Sequence, residues 1–215
     1  MVDLGCGTGV LPIVMSENGG YTGKVYSFDN QANAIEATKM NSSIFGMGNR
    51  MTAQEADIVD LYYKDLENPE SETIEKTKEL GFYRELAKDL QFPFSVDLVV
   101  CNPPWIPADY VKETNPLDNG VYDPQEKFLK SALNFCRIHL EKNGEMLLIY
   151  SDLAYQLGLQ KENRVNELAE MYGMRAELLD KTQLPLNKKP RDPLRLIKRN
   201  SFVELYKVTK WITTT

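Results

Sequence analysis

The chain has 215 residues, of which 42% are hydrophobic, and this length is enough for one domain around a single sizeable core. Its formal net charge is -6, and no stretch approaches the roughly 18 consecutive apolar residues that a membrane helix needs, so a soluble cytoplasmic protein without a membrane partner is expected. The cysteines are scattered, at Cys6, Cys101 and Cys136, which favours reduced thiols over a disulfide framework. With a single histidine, His139, and no paired Cys or His spacing, no metal site is predicted.

A glycine-rich turn follows the first strand-like run and contains Gly5, Gly7 and Gly9. Glycines let a backbone approach a ligand closely, and a helix predicted over 10–17 directs its amide end toward the same place. Val10 stands where a dinucleotide fingerprint would have its last glycine, which argues against a hydride-transfer cofactor. The glycine pattern alone leaves a purely structural turn open.

Two further strand-like runs lead to acidic residues. The run Lys24–Asp29 ends in an acid at the position that accepts hydrogen bonds from two ribose hydroxyls in such units, although Asp29 could also cap the helix predicted over 31–45. The run Met51–Ala56 leads to Asp57, which is a candidate partner for the exocyclic amine of an adenine.

The connection over residues 58–93 is longer than the usual few residues, so it should contain structure of its own. Asn68 and Pro69 resemble a helix cap followed by proline in the first helical position, and Tyr83, Leu86 and Leu90 recur at helical spacing. We predict an amphipathic helical insertion that covers the sheet, with a substrate lid as the alternative.

The loop Asn102–Trp105, with the sequence Asn-Pro-Pro-Trp, follows a short β-branched strand predicted over 96–101. It leaves the carboxyl end of that strand, where open α/β sheets bind ligands. The prolines hold the loop extended, so that the Asn102 side-chain oxygen and the Pro103 carbonyl could both accept hydrogen bonds from a planar NH2 group, with Trp105 as a stacking surface. The alternative is a proline-stiffened turn with a partly buried tryptophan.

The remaining elements alternate between helices and strands. Residues 106–122 are turn-rich and are expected to shape the acceptor pocket, and a helix is predicted with Asp123 as its cap, Pro124 at its first position and Glu126 completing a capping box. The later elements are a strand over 145–150, a helix over 160–172 and strands over 175–184 and 201–208.

Basic charge is concentrated near the end of the chain. Residues 181–215 carry nine Lys or Arg against two Asp or Glu, or +7, so the remainder carries -13. Most of these cations lie in one polar stretch, Lys188–Arg199. Either a solvated loop or a patch that contacts phosphates explains this stretch.

The motif Asp3–Gly9, Asp29 and the loop Asn102–Trp105, in this order and spacing, resemble the S-adenosylmethionine-dependent methyltransferases with the Rossmann-like fold. The resemblance covers nearly the whole chain. The loop is similar to that of the amino-group branch, which includes adenine-N6 and guanine-N2 methyltransferases of nucleic acids and the release-factor glutamine methyltransferases.

The resemblance implies an α/β fold with a mostly parallel seven-stranded sheet, a C-terminal antiparallel hairpin and helices on both faces. It implies one methyltransferase domain over 1–215 with a truncated front edge, since family members usually have at least one helix before the glycine turn. It also implies S-adenosylmethionine as the cofactor, bound by Asp3, Gly5, Gly7, Gly9, Asp29, Asp57 and Asn102.

The implied reaction is methyl transfer to a planar amino nitrogen, with Asn102, Pro103 and Trp105 at the acceptor. A nucleic acid, with RNA favoured, is the expected partner. Two alternatives remain open: a protein glutamine side chain as acceptor, and a catalytically silent protein that binds the cofactor.

Overall fold

Seven strands form one mixed sheet in the computed structural model, which describes residues 1–63, 75–107, 120–161, 163–184 and 200–211. The strands are β1 (Val2–Leu4), β2 (Val25–Asp29), β3 (Met51–Glu55), β4 (Val96–Cys101), β5 (Leu140–Ser151), β6 (Met174–Gln183) and β7 (Phe202–Lys210). Their order is β3-β2-β1-β4-β5-β7-β6, in which β1 to β5 are parallel and β7 is antiparallel to both β5 and β6. The predicted α/β sheet with its antiparallel C-terminal hairpin is confirmed.

Helices cover both faces of the sheet. They are α1 (Val10–Glu17), α2 (Ala32–Ile44), α3 (Ile58–Tyr62), α4 (Glu75–Asp89), α5 (Lys127–His139), α6 (Leu153–Gln156) and α7 (Val165–Met171). Successive side chains of a strand point to opposite faces. Val100 of β4 accordingly lies in one apolar cluster with Ile13 of α1, whereas its neighbour Val99 lies in the main core with Leu129 and Leu133 of α5. None of the helices in the described ranges is long and apolar enough to cross a membrane.

The helical insertion contributes α3 and α4 to the main core. Tyr83 of α4 is buried and stacks on Tyr62 of α3 with ring centroids 5.1 Å apart, and Leu86 and Leu90 pack against the same core. This packing is what an amphipathic helix that covers the sheet requires. The predicted cap at Asn68 and Pro69 lies outside the described residues.

His139 is fully buried at the end of α5. Its Nδ1 lies 2.8 Å from the Phe94 carbonyl oxygen, to which it donates, and its Nε2 lies 3.0 Å from the Tyr62 hydroxyl, from which it accepts. Burial lowers the pKa of the imidazole to about 4, so the ring is neutral at neutral pH. His139 therefore serves the core, as its helical sequence pattern indicated.

The predicted capping box at the start of α5 is wrong. Gln125 and Glu126 have φ of +59° and +57°, so the chain makes only a short 3-10 turn over 124–126 and the α-helix begins at Lys127. The Asp123 carboxylate instead accepts the backbone N–H groups of Phe128 at 2.8 Å and Leu129 at 3.0 Å. The side chain of Asp123 thus caps the helix as predicted, but the helix begins later, at Lys127.

The Glu126 carboxylate has partners other than the backbone N–H group that a capping box needs. It pairs with the Arg164 guanidinium and accepts a hydrogen bond from the Gln160 amide at 2.7 Å. These contacts join the start of α5 to the segment before α7. The helix predicted over 160–172 is shorter in the structure, where α7 spans Val165–Met171. Residues 157–161 form turns and bends instead, with Gly158 at φ +69°.

Candidate active site

The glycine turn connects β1 to α1 through backbone conformations that glycine adopts without strain. Gly5, Gly7 and Gly9 have φ of +69°, +53° and +75°. The Phe28 carbonyl on β2 accepts the N–H groups of both Gly5 and Cys6 at 2.9 Å, which holds the turn against the neighbouring strand. The turn therefore lies at the carboxyl edge of the sheet.

Asp29 ends β2 directly beside this turn. One carboxylate oxygen accepts the Gly7 N–H at 2.9 Å, and the other accepts the Gln31 N–H at 3.0 Å. The N-cap residue of α2 is Gln31, so Asp29 is not the helix cap that the alternative interpretation predicted. Asp29 instead links the end of β2 to the glycine turn.

Asp57 occupies the corresponding position after β3 and caps α3. Its Oδ1 accepts the backbone N–H of Val59 at 2.8 Å and of Asp60 at 3.3 Å, while its Oδ2 accepts from the Asn30 amide at 3.1 Å. Sequence reasoning did not single out Asn30, which follows Asp29 and bridges the two acidic corners.

A cavity of about 400 Å³ opens above these corners. Five of the predicted site residues line it: Gly5, Gly7, Asp29, Asp57 and Asn102. Asp3, Gly9, Pro103 and Trp105 are not part of its lining. The glycine turn, the two acidic corners and the amide of the Asn-Pro-Pro-Trp loop, which are far apart in the sequence, thus meet at one cavity.

Asp3 lies beneath the turn with only 1% of its surface exposed. Among the residues that the structure describes, neither of its carboxylate oxygens has a hydrogen-bond partner, and the Ser27 hydroxyl, at the paired position on β2, has none either. Burial, together with the nearby Asp29 carboxylate, raises the pKa of Asp3 to about 8. An unpaired buried carboxyl group is costly, and a cationic ligand group would relieve that cost.

The Asn102 loop contains an internal hydrogen bond. The Trp105 indole Nε1 donates to the Asn102 Oδ1 at 3.1 Å. Pro103 and Pro104 are buried, and the Trp105 ring is half-buried against the main core. Only part of the ring is therefore available as the stacking surface that the sequence suggested, and its N–H group is already engaged.

Phe128 is a site residue that sequence reasoning assigned only to the apolar face of α5. Its ring lines the cavity, and a Cβ added at Gly5 would lie 2.9 Å from the Phe128 Cζ atom. The close approach explains why the first residue of the turn has no side chain. No sequence signal links these two positions, because the contact depends on how α5 packs on the sheet.

The sheet order, the glycine turn after β1 and the acids after β2 and β3 define the Rossmann-like fold of S-adenosylmethionine-dependent methyltransferases. The residues present also suit that cofactor. The buried Asp3 carboxyl has no hydrogen-bond partner in the described part of the chain, and the ammonium group of the cofactor could pair with it. Asp29 and Asp57 border the cavity. A family described as Methyltransferase domain matches residues 1–200, and the chain belongs to this family. The chain is thus a methyltransferase domain, and S-adenosylmethionine is its cofactor.

Similar proteins agree with this assignment. A Pyrobaculum aerophilum protein named "Probable cobalt-precorrin-6B C(15)-methyltransferase (decarboxylating)" is 39% identical over 64 residues, which are 30% of this chain and 33% of that protein. The match therefore spans about a third of that relative.

Two solved structures share the fold. PH1948 of Pyrococcus horikoshii, an inferred RNA methyltransferase, superposes with a TM-score of 0.55 at 15% identity, covering 100% of this chain and 74% of that one. A geranyl diphosphate methyltransferase in complex with S-adenosylmethionine superposes with a TM-score of 0.54 at 10% identity, covering 98% of this chain and 77% of that one.

Proposed function

We propose that this methyltransferase acts on a planar amino nitrogen of a nucleic-acid base, with RNA as the favoured substrate. The observation that carries the proposal is the position of Asn102, which lines the same cavity as Gly7, Asp29 and Asp57. An asparagine oxygen remains a hydrogen-bond acceptor at any ordinary pH, so it suits a substrate that presents N–H groups.

The residues on the cofactor side have separate tasks in this proposal. Asp3 pairs with the amino group of the methionine part, Asp29 accepts hydrogen bonds from the ribose hydroxyls, and Asp57 accepts one from the adenine amine. Gly5, Gly7 and Gly9 let the backbone approach closely. When bound, the cofactor supplies an electrophilic methyl group on a positively charged sulfur.

On the acceptor side, Asn102 and the Pro103 carbonyl would accept hydrogen bonds from the substrate amino group and so direct its lone pair toward the methyl group that the cofactor would supply. Held by Asp3, Asp29 and Asp57, the cofactor would supply the methyl group together with a thioether leaving group, which would keep the bonding electron pair. Asn102 stabilises the positive charge that develops on nitrogen. The proton then leaves to water. Alignment of the two reacting groups can lower the activation barrier by roughly 7 to 11 kcal/mol in favourable cases.

RNA is favoured because of the basic stretch Lys188–Arg199, which lies outside the described residues. The chain on either side of it is described. Strand β6 runs parallel to β5 and ends at Gln183, whereas the antiparallel β7 begins at Phe202, so both ends meet at the edge that carries the cavity. The Leu184 N–H donates to the Ser201 carbonyl at 2.9 Å and joins these two ends.

The test is incubation with methyl-labelled S-adenosylmethionine and either total RNA or total protein. We expect label in RNA, lost on ribonuclease treatment and declining steeply as salt rises, since phosphate contacts release counterions. Label that appears in protein, in an amount that does not change with salt, would indicate a protein glutamine side chain as the acceptor in place of RNA. Cofactor binding without label in either fraction would favour the silent binding protein and overturn the proposal.

Two further measurements make this test specific. Asn102→Ala should slow transfer roughly a hundredfold or more, while the exposed Asn143→Ala, on the amino-terminal part of β5, serves as the matched control. Digestion of the labelled RNA to nucleosides and mass spectrometry should then place the methyl group on an exocyclic nitrogen. A methyl group on carbon would contradict the proposed acceptor chemistry.

A further inference from the structure

The hydrogen bond inside the acceptor loop determines which end of the Asn102 amide faces which direction. An indole N–H group donates only, so the atom that it meets must be the amide oxygen and not the amide nitrogen. The 3.1 Å distance between Trp105 Nε1 and Asn102 Oδ1 therefore assigns the amide orientation. An amide without such a partner can turn over, which would present its NH2 group to the substrate.

The indole itself is held by the fold. The Trp105 ring packs against the main core, and the two intervening residues are the buried Pro103 and Pro104, whose rings restrict the backbone. The donor is therefore fixed by packing and by backbone stiffness together. A fixed donor three residues after Asn102 can hold the amide before any substrate arrives.

We propose that Trp105 is a positioning residue that acts through Asn102, by holding its oxygen as the acceptor for the substrate amino group. This inference rests on the proposed function. The Asn102 oxygen has two lone pairs, of which the indole takes one and the other stays available to the substrate. The tryptophan contributes through its N–H group, so its role differs from stacking on a base, which any aromatic ring could provide.

The hydrogen bond can be tested without a substrate. The protein contains two tryptophans, so its 15N-labelled form should show two indole N–H resonances by NMR, and Trp105→Phe identifies one of them. Asn102→Ala should move the Trp105 resonance upfield, and Asn102→Asp, which keeps an acceptor oxygen, should not. The Trp211 indole donates to the Met174 carbonyl at 2.7 Å and should stay in place as an internal reference. An unmoved Trp105 resonance in Asn102→Ala overturns the proposal.

A double-mutant cycle tests the functional consequence. Trp105→Phe keeps an aromatic ring but loses the donor, and it should lower the transfer rate at saturating RNA by about tenfold in the wild-type background. In the Asn102→Ala background the same change should cost less than about twofold, because the group through which it acts is gone. In each background, Trp105→Phe should leave the dissociation constant of the cofactor unchanged.

Trp211→Phe is the matched control, since it also removes an indole hydrogen bond, but at the far end of β7 from the cavity. Equal losses from Trp105→Phe in both backgrounds would indicate stacking or general packing and would overturn the positioning role. If no fraction takes up label, the proposed function fails, while the indole resonances still decide whether Trp105 holds Asn102.

Discussion

Two buried carboxyl groups, Asp3 and Asp123, differ in the hydrogen bonds that the fold provides for them. Asp3 lies under the glycine turn and Asp123 at the start of α5, with 1% and 5% of their surfaces exposed. Burial raises both pKa values, to about 8 for Asp3 and to about 6 for Asp123. Asp123 accepts two backbone N–H groups, whereas neither oxygen of Asp3 has a hydrogen-bond partner within the described ranges.

The difference supports the proposed division of roles, in which Asp123 stabilises the fold and Asp3 binds the cofactor. The hydrogen bonds from Phe128 and Leu129 favour the charged form of Asp123 and offset part of the burial penalty. Asp3 has no such compensation, and a fold that keeps an unpaired buried carboxyl group loses stability. The absence of a hydrogen-bond partner for Asp3 among the described residues supports the proposed pairing of this carboxyl group with the amino group of the cofactor.

The largest effect should come from Asp3→Asn. We expect the affinity for S-adenosylmethionine to fall roughly 10- to 100-fold, because a charge-assisted hydrogen bond to the methionine ammonium is lost. Isothermal titration calorimetry measures this directly, with Asp123→Asn as the comparison at the other carboxyl group. Wild-type affinity in Asp3→Asn would remove the distinction between the two acids.

The pH dependence of stability should identify the same group. The Asp3 carboxyl ionises near 3.8 in the unfolded chain and at about 8 in the folded one, so the folded protein retains a proton that the unfolded chain releases. The contribution of Asp3 to stability is therefore fully present below the lower value and is lost as pH rises toward about 8, by at most about 1.4 kcal/mol per pH unit. Urea unfolding of the cofactor-free protein across this interval provides the curve.

Asp3→Asn should flatten that curve, and it should be more stable than the wild type at the alkaline end. The difference between the two proteins isolates Asp3 from His139, whose lowered pKa acts in the opposite direction below about pH 6.5. Parallel curves for both proteins would mean that Asp3 is ionised in the fold.

Asp123→Ala should lower the free energy of unfolding by about 1 to 2 kcal/mol, since two backbone N–H groups at the start of α5 lose their acceptor. Chemical denaturation checks the value. Asp180→Ala removes an exposed acid from β6 and should change stability much less. Similar losses from both substitutions would contradict the capping role.

Gly7→Ala and Gly20→Ala form the mildest test. Both glycines have positive φ, +53° and +67°, and an added Cβ meets no atom within 4 Å at either position. Each substitution should cost roughly 1 kcal/mol of stability through backbone strain. Only Gly7 lines the cavity, so only Gly7→Ala should weaken cofactor binding, by on the order of threefold to tenfold. Equal affinities would place the cofactor elsewhere.

Local sequence signals were sufficient for much of this molecule. The apolar run over 96–101 and the glycines after β1 depend on neighbouring residues alone, and the structure reproduces both. The acids after β2 and β3 were found because their places at strand ends are set by chain order. The Asn102 amide was found because prolines restrict its loop.

Features that depend on packing between distant segments could not be read in the same way. The capping-box pattern at Asp123 and Glu126 was sound locally, but Glu126 pairs with Arg164 and leaves the helical conformation. The indole of Trp105 could have faced a substrate or its own loop, and only its packing on the core decides. The isolation of Asp3 is likewise a property of the assembled sheet.

The ring of Phe128 shows how closely the two sides of the cavity are joined. It rests against Gly5, its own N–H group is held by Asp123, and the neighbouring Tyr122 pairs with Ile106 in an isolated bridge just beyond the acceptor loop. We therefore expect the cofactor and the proposed methyl acceptor each to alter the affinity for the other, and thermodynamic reciprocity requires both changes to be equal. A substitution at position 128 should be judged by that shared coupling energy, measured with both ligands present.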